Sequence, residues 1–178
     1  MPKSTKLGYE VKTEWKGLDA LWKRLQDLNQ KEIEYGFIDE SIRYPESSRH
    51  KNLTVADVAW MNETPHSTWG QDTPARPFFT QSLAQAKTLI KREAPRIFQL
   101  SFLGKVEKEM LGIGKELVQT VKDSIDSGNF PLNTERTLLM KAPETRVLHE
   151  TDLMYDSIEA KIVNRDAYGQ RKKEVDIK

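Results

Sequence analysis

The sequence contains no cysteine. That rules out disulfide staples and cysteine-ligated zinc, and it suits folding in a reducing compartment. Any run of about eighteen consecutive apolar residues is also missing, so no segment reads as a membrane span. The amino terminus, Met1-Pro2-Lys3-Ser4-Thr5-Lys6, leads into no apolar run and is not expected to be a secretion signal. Charge of one sign is lacking too, since 28 basic residues face 27 acidic ones. A protein whose main task is to coat nucleic acid needs a clear basic surplus to neutralise phosphates. That class is disfavoured, although a local basic patch stays open.

Catalytic signatures are equally scarce. The three histidines, His50, His66 and His149, form no H-x-x-x-H pair, and the first two fall in polar loops. Gly112-Ile113-Gly114 lacks the further glycine of a phosphate-binding loop and lies inside an amphipathic helical pattern. No serine stands in a nucleophile elbow, and no carboxylate cluster rises above the general surface charge. The sequence therefore names no catalytic, cofactor-binding or metal residue, and the chain is not expected to be an enzyme.

What is present is the patterning of one α+β domain. Tyr9, Val11, Thr13 and Trp15 alternate with charged residues as a half-buried strand does. Leu18, Leu21, Trp22, Leu25 and Leu28 form one helical stripe. Ile33, Tyr35 and Phe37 alternate again as a second strand. Residues 39–53 read as a polar loop, and Thr54 with Asp57 forms a capping box opening a short helix with Val55, Val58, Ala59 and Met61 inward. From Glu63 to Thr73 the chain reads as loop. Trp60, Trp69, Phe78 and Phe79 bracket it; such aromatics are commonly buried anchors, but Trp69 sits among small polar residues as an interface anchor would.

Pro77 suits the first turn of a helix whose expected buried stripe is Phe79, Leu83, Ala86 and Ile90, and Pro95 is expected to end or kink it. The longest helix is expected over roughly 104–127, on Leu103, Val106, Met110, Ile113, Leu117, Val121 and Ile125. Gly112 and Gly114 inside it mark either a tolerated weakness or a close packing or hinge point. A short helix from Asn133 or Thr134 to Met140 and a strand on Ile158, Ala160 and Ile162 follow. The pattern predicts a small mixed or antiparallel sheet, one long helix and several shorter ones. The domain spans 1–164, and 165–178 form a flexible charged tail.

Two short basic runs, Arg49-His50-Lys51 and Arg171-Lys172-Lys173, read first as solvated faces and second as contacts for phosphates or an acidic partner. Arg76 lies between Pro74 and Pro77, so its guanidinium rides on a stiff backbone and can bind a carboxylate or carbonyl with little entropy loss. Such a site locks a loop rather than performing chemistry.

The order of four stretches carries a resemblance. Thr54-Val55-Ala56-Asp57-Val58-Ala59-Trp60-Met61-Asn62-Glu63 precedes Pro74-Ala75-Arg76-Pro77-Phe78-Phe79. Pro131-Leu132-Asn133-Thr134 through Lys141 follows, and Leu148, Thr151, Leu153, Ser157 and Ile158 close the pattern. Together they resemble the tail-completion (minor tail, virion morphogenesis) proteins of long-tailed bacteriophages, with P-x-R-P-F-F as the most specific element. Departures exist: Thr64-Pro65 stands where the family has an aromatic and glycine, Asp152 where it has glycine, and Val147 where it has proline.

The resemblance implies a structural virion protein in the neck or tail, assembled in the host bacterial cytoplasm without a cofactor. It implies a closed ring of copies, six by the symmetry of the tail tube, meeting a head–tail connector or stopper, a tail terminator or tube protein, and transiently the passing DNA. Candidate interface residues are Trp69, Arg76, Phe78, Phe79, Arg171, Lys172 and Lys173. The alternative reading is a nucleic-acid-binding accessory protein that uses the basic runs and loop aromatics.

Overall fold

A computed structural model describes residues 16–48, 50–68, 71–131, 148 and 152–165. The expected strand over 9–15, Arg49, Trp69, the expected helix near 134–140, His149 and the basic run 171–173 lie outside the described residues. Within them the chain is an α+β fold, as its patterning predicts.

Helix α1 (Lys16–Asn29) leads through one turn into strand β1 (Lys31–Gly36). The loop that follows is tied by a bridge between Arg43 and Thr54, and it ends at helix α2 (Val55–Glu63). A hairpin of β2 (His66–Thr68) and β3 (Gln71–Thr73) interrupts the expected loop. Its strands are too short and too polar to show any alternation. Helix α3 (Phe78–Ser101) and helix α4 (Val106–Asp126) form a helical hairpin. A single turn, α5 (Leu153–Asp156), then delivers strand β4 (Glu159–Asn164), antiparallel to β1.

The β1–β4 ribbon has two unlike faces because side chains alternate along a strand. Ile33 pairs with Ile162 and Tyr35 with Ala160 on the face that meets α4. A Cβ on Gly114 would stand 3.0 Å from the Cβ of Ala160 and 3.5 Å from Cγ2 of Ile33. Of the two glycines in α4, Gly114 is thus the close-packing point, while Gly112 has open space around it. The other face carries Glu32, Glu34 and Lys161. Arg165, the first residue of the expected tail, belongs to this unit: its N–H donates to the carbonyl of Gln30 at 2.8 Å, and its guanidinium binds Glu32 and Glu34.

Three helical expectations need correction. Pro95 does not end α3, which runs on to Ser101 and, with 24 residues, exceeds the 21 of α4. Pro95 and Lys91 are both exposed, so water can take the hydrogen bond that the Lys91 carbonyl loses to the proline. The buried stripe of α3 is also rotated: Phe78, Ser82, Ala86 and Leu89 are buried, whereas Leu83 and Ile90 are exposed. Small Ser82 and Ala86 let α3 lie close to its neighbours, which turns the larger residues to the flank. On α1, Leu21, Leu25 and Leu28 are half-buried, but Leu18 and Trp22 are exposed. The α4 stripe from Val106 to Ile125 is buried as expected, and Leu103 falls in the exposed turn before it.

Candidate functional site

The segment 74–79 is joined to the end of α2, and the joint can be followed one hydrogen bond at a time. A helix begins with N–H groups that have no partner inside it. Pro77 occupies the N-cap of α3 and offers no side-chain acceptor. The Phe78 N–H donates to the carbonyl of Arg76 at 2.8 Å, and the Gln81 N–H to the carbonyl of Pro77 at 2.9 Å. The two between them are taken by Glu63. Its carboxylate accepts the Phe79 N–H, the Thr80 N–H at 3.4 Å and the Thr80 hydroxyl at 2.9 Å. A carboxylate there also meets the positive end of the α3 dipole.

Arg76 closes the other side. Its N–H donates to the carbonyl of Asn62 at 2.7 Å. Its guanidinium donates to Asn62 Oδ1 at 3.4 Å and to the Pro131 carbonyl at 3.5 Å. Asn62 is itself held, its amide donating to the Val58 carbonyl at 2.8 Å. Arg76 therefore ties the end of α2 to the chain leaving α4. The two adjacent residues Asn62 and Glu63 grip both ends of the Arg76–Thr80 segment.

The two phenylalanines divide their work. Phe78 is fully buried and meets Phe37 edge-on, with ring centroids 6.2 Å apart. Phe79 stacks on Tyr35 at 5.5 Å with planes 22° apart. Burial pushes the Tyr35 phenol above its ordinary pKa. Between those two β1-end aromatics, Gly36 turns at φ +131°, and its missing Cβ leaves room for the Phe79 ring 3.4 Å away. Phe78 is thus a core anchor, and Phe79, partly buried, packs against the same core.

The α2 start has the expected reciprocal cap. The Asp57 N–H donates to the Thr54 hydroxyl oxygen at 3.0 Å, and the Thr54 N–H donates to the Asp57 carboxylate at 3.0 Å. The Thr54 hydroxyl and N–H, with the nearby Arg43 charge, hold Asp57 below its ordinary pKa. Further along α2, Trp60 is 69% exposed, so it is not the buried anchor its position suggested. His50 meets the Tyr44 ring edge-on at 5.4 Å, and His66 Nδ1 lies 3.3 Å from the Thr64 carbonyl. Tyr155 donates to Asp126 at 3.0 Å under the ammonium of Lys122, and burial followed by the Asp126 bond raises its pKa.

Among the described residues no cluster of three or more histidine, cysteine or acidic side chains could hold a metal ion. Among them, too, no helix is long and apolar enough to cross a membrane. Sequence reasoning singled out Arg76, Phe78 and Phe79 but missed Glu63 as a cap and Gly36 as the seat of Phe79. The available signal was negative: a helix starting at Pro77-Phe78 has no local capping residue, so its donors need a remote acceptor. No family model, curated sequence or solved structure matches this chain.

Proposed function

We propose that this chain is a structural virion protein of a tailed phage or prophage. It is a tail-completion component that forms a ring at the head-proximal end of the tail and joins the tail to the head connector. The observation that carries the reading is the convergence of three distant stretches on one buried cluster. Residues 54–63 contribute Val55, Val58 and Ala59, residues 74–79 contribute Phe78, and residues 148–158 contribute Met154 and Ile158. Three of the four stretches on which the resemblance rests thus meet in a single structural unit, and most of the fourth, 132–141, lies outside the described residues.

Asp152 adds support at a point where the sequence departs from the family pattern. It stands where the family has glycine, and its backbone is left-handed at φ +53°. Glycine enters that region freely, and aspartate is among the few other residues that tolerate it. The substitution is therefore compatible with the same turn.

The test is deletion of the gene from a phage or inducible prophage that carries it. Filled heads and separate tails should accumulate, and purified protein added to the lysate should restore joined, infectious particles. Normal particles from the deletion would overturn the assignment. Normal particles together with salt-sensitive DNA binding by the free protein would favour the accessory nucleic-acid-binding reading.

A further inference from the structure

Helix α3 buries one stripe and carries a second apolar stripe beside it. Leu83, Lys87, Ile90, Lys91, Ala94 and Phe98 share an arc of roughly 100° on a helix of 3.6 residues per turn, over a length of about 22 Å. Leu83 is 46%, Ile90 48% and Phe98 52% exposed, all on this one side.

The lysines define what fits there. Elsewhere on α3 the chain neutralises its own cations: Arg92 pairs with Glu93 at 2.7 Å and Glu116 at 3.1 Å, and Arg96 with Glu109 at 3.0 Å. Lys87 and Lys91 have no acidic partner among the described residues. No acidic residue occurs in α3 before Glu93. A stripe of half-exposed apolar side chains whose only charges are two unneutralised ammonium groups is complementary to apolar anchors edged with carboxylates.

We propose that this flank of α3 docks an acidic amphipathic helix of a partner protein. Its apolar anchors lie on Leu83, Ile90 and Phe98, and its carboxylates reach Lys87 and Lys91. A second copy of the same flank is a poor occupant. Antiparallel pairing that sets Leu83 against Phe98 brings both copies' lysines together at the centre, where like charges repel. The inference stands independently of the virion assignment.

The test uses the full chain and two synthetic helical peptides of about 18 residues, five turns long. Both carry leucine anchors on one face; one is edged with glutamate and the other with lysine. By fluorescence anisotropy the glutamate peptide should bind at least about tenfold more tightly, and Ile90→Ser should weaken it by about the same factor. Lys87→Glu combined with Lys91→Glu should reverse the preference, a change that loss of folding cannot produce. Equal binding of the two peptides, or indifference to Ile90→Ser, would overturn the proposal. So would self-association abolished by Ile90→Ser, which makes a second copy the occupant, or tighter binding of a DNA oligonucleotide than of the glutamate peptide.

Discussion

The carboxylate of Glu63, the last residue of α2, accepts the backbone N–H of Phe79, 16 residues downstream, and so caps a helix to which it does not belong. Between the two residues runs the β2–β3 hairpin, so both ends of that excursion are fastened to each other. The start of α3 and the end of α2 therefore behave as one joint that closes the loop carrying the hairpin.

Removing the remote cap should loosen that joint. Glu63→Ala is expected to lower stability by about 1–2 kcal/mol, the usual range for losing a cap together with a favourable dipole contact. Hydrogen exchange should then speed up at the Phe79 and Thr80 amides ahead of those in the middle of α3. Unchanged exchange at both amides would show that the carboxylate is dispensable.

Gly36 and Phe79 make a second prediction. Any Cβ at position 36 must adopt φ +131° and face the Phe79 ring at 3.4 Å. Gly36→Ala is expected to cost about 1–3 kcal/mol, mostly as backbone strain. Phe79→Leu made in the same background should recover little of the loss, because shrinking the ring leaves φ unchanged. Denaturant midpoints of the two variants decide the point.

The glycines of α4 should respond in opposite directions. Gly112→Ala fills open space on a helix and is expected to stabilise by about 1 kcal/mol through helix propensity. Gly114→Ala drives a methyl group to 3.0 Å from the Cβ of Ala160, a short group fixed to a strand, and should be destabilising instead. Ala160→Gly should relieve that clash. A thermal-melting double-mutant cycle over positions 114 and 160 would then show favourable coupling.

The capping box should be visible in the pH dependence of stability. Hydrogen bonds from Thr54 hold Asp57 below its ordinary value near 3.8, and those from Ser41 do the same for Asp39. A carboxylate whose folded pKa is depressed contributes stability that is present above its unfolded pKa and lost as pH falls through the lower, folded one. Stability should therefore hold at pH 5 and decline from about pH 4 downward. Asp57→Asn should flatten part of that slope, and an unchanged acid limb would exclude the carboxylate as its source.

Local sequence was enough wherever one element carries its own signal. The α4 stripe from Val106 to Ile125, the Thr54–Asp57 box and the two strands around Ile33 and Ile162 were legible because period and capping chemistry are set within a few residues. The importance of Arg76, Phe78 and Phe79 was legible as a motif, though not their division between lock, core and stack. Tertiary structure decided the rest. Which flank of α3 is buried depends on how closely Ser82 and Ala86 allow it to approach its neighbours, so Leu83 and Ile90 look inward in the sequence and face outward in the fold. Glu63 becomes a cap, and Gly114 a contact point, only when residues 16 or 46 positions away arrive beside them, and no local pattern encodes such an arrival.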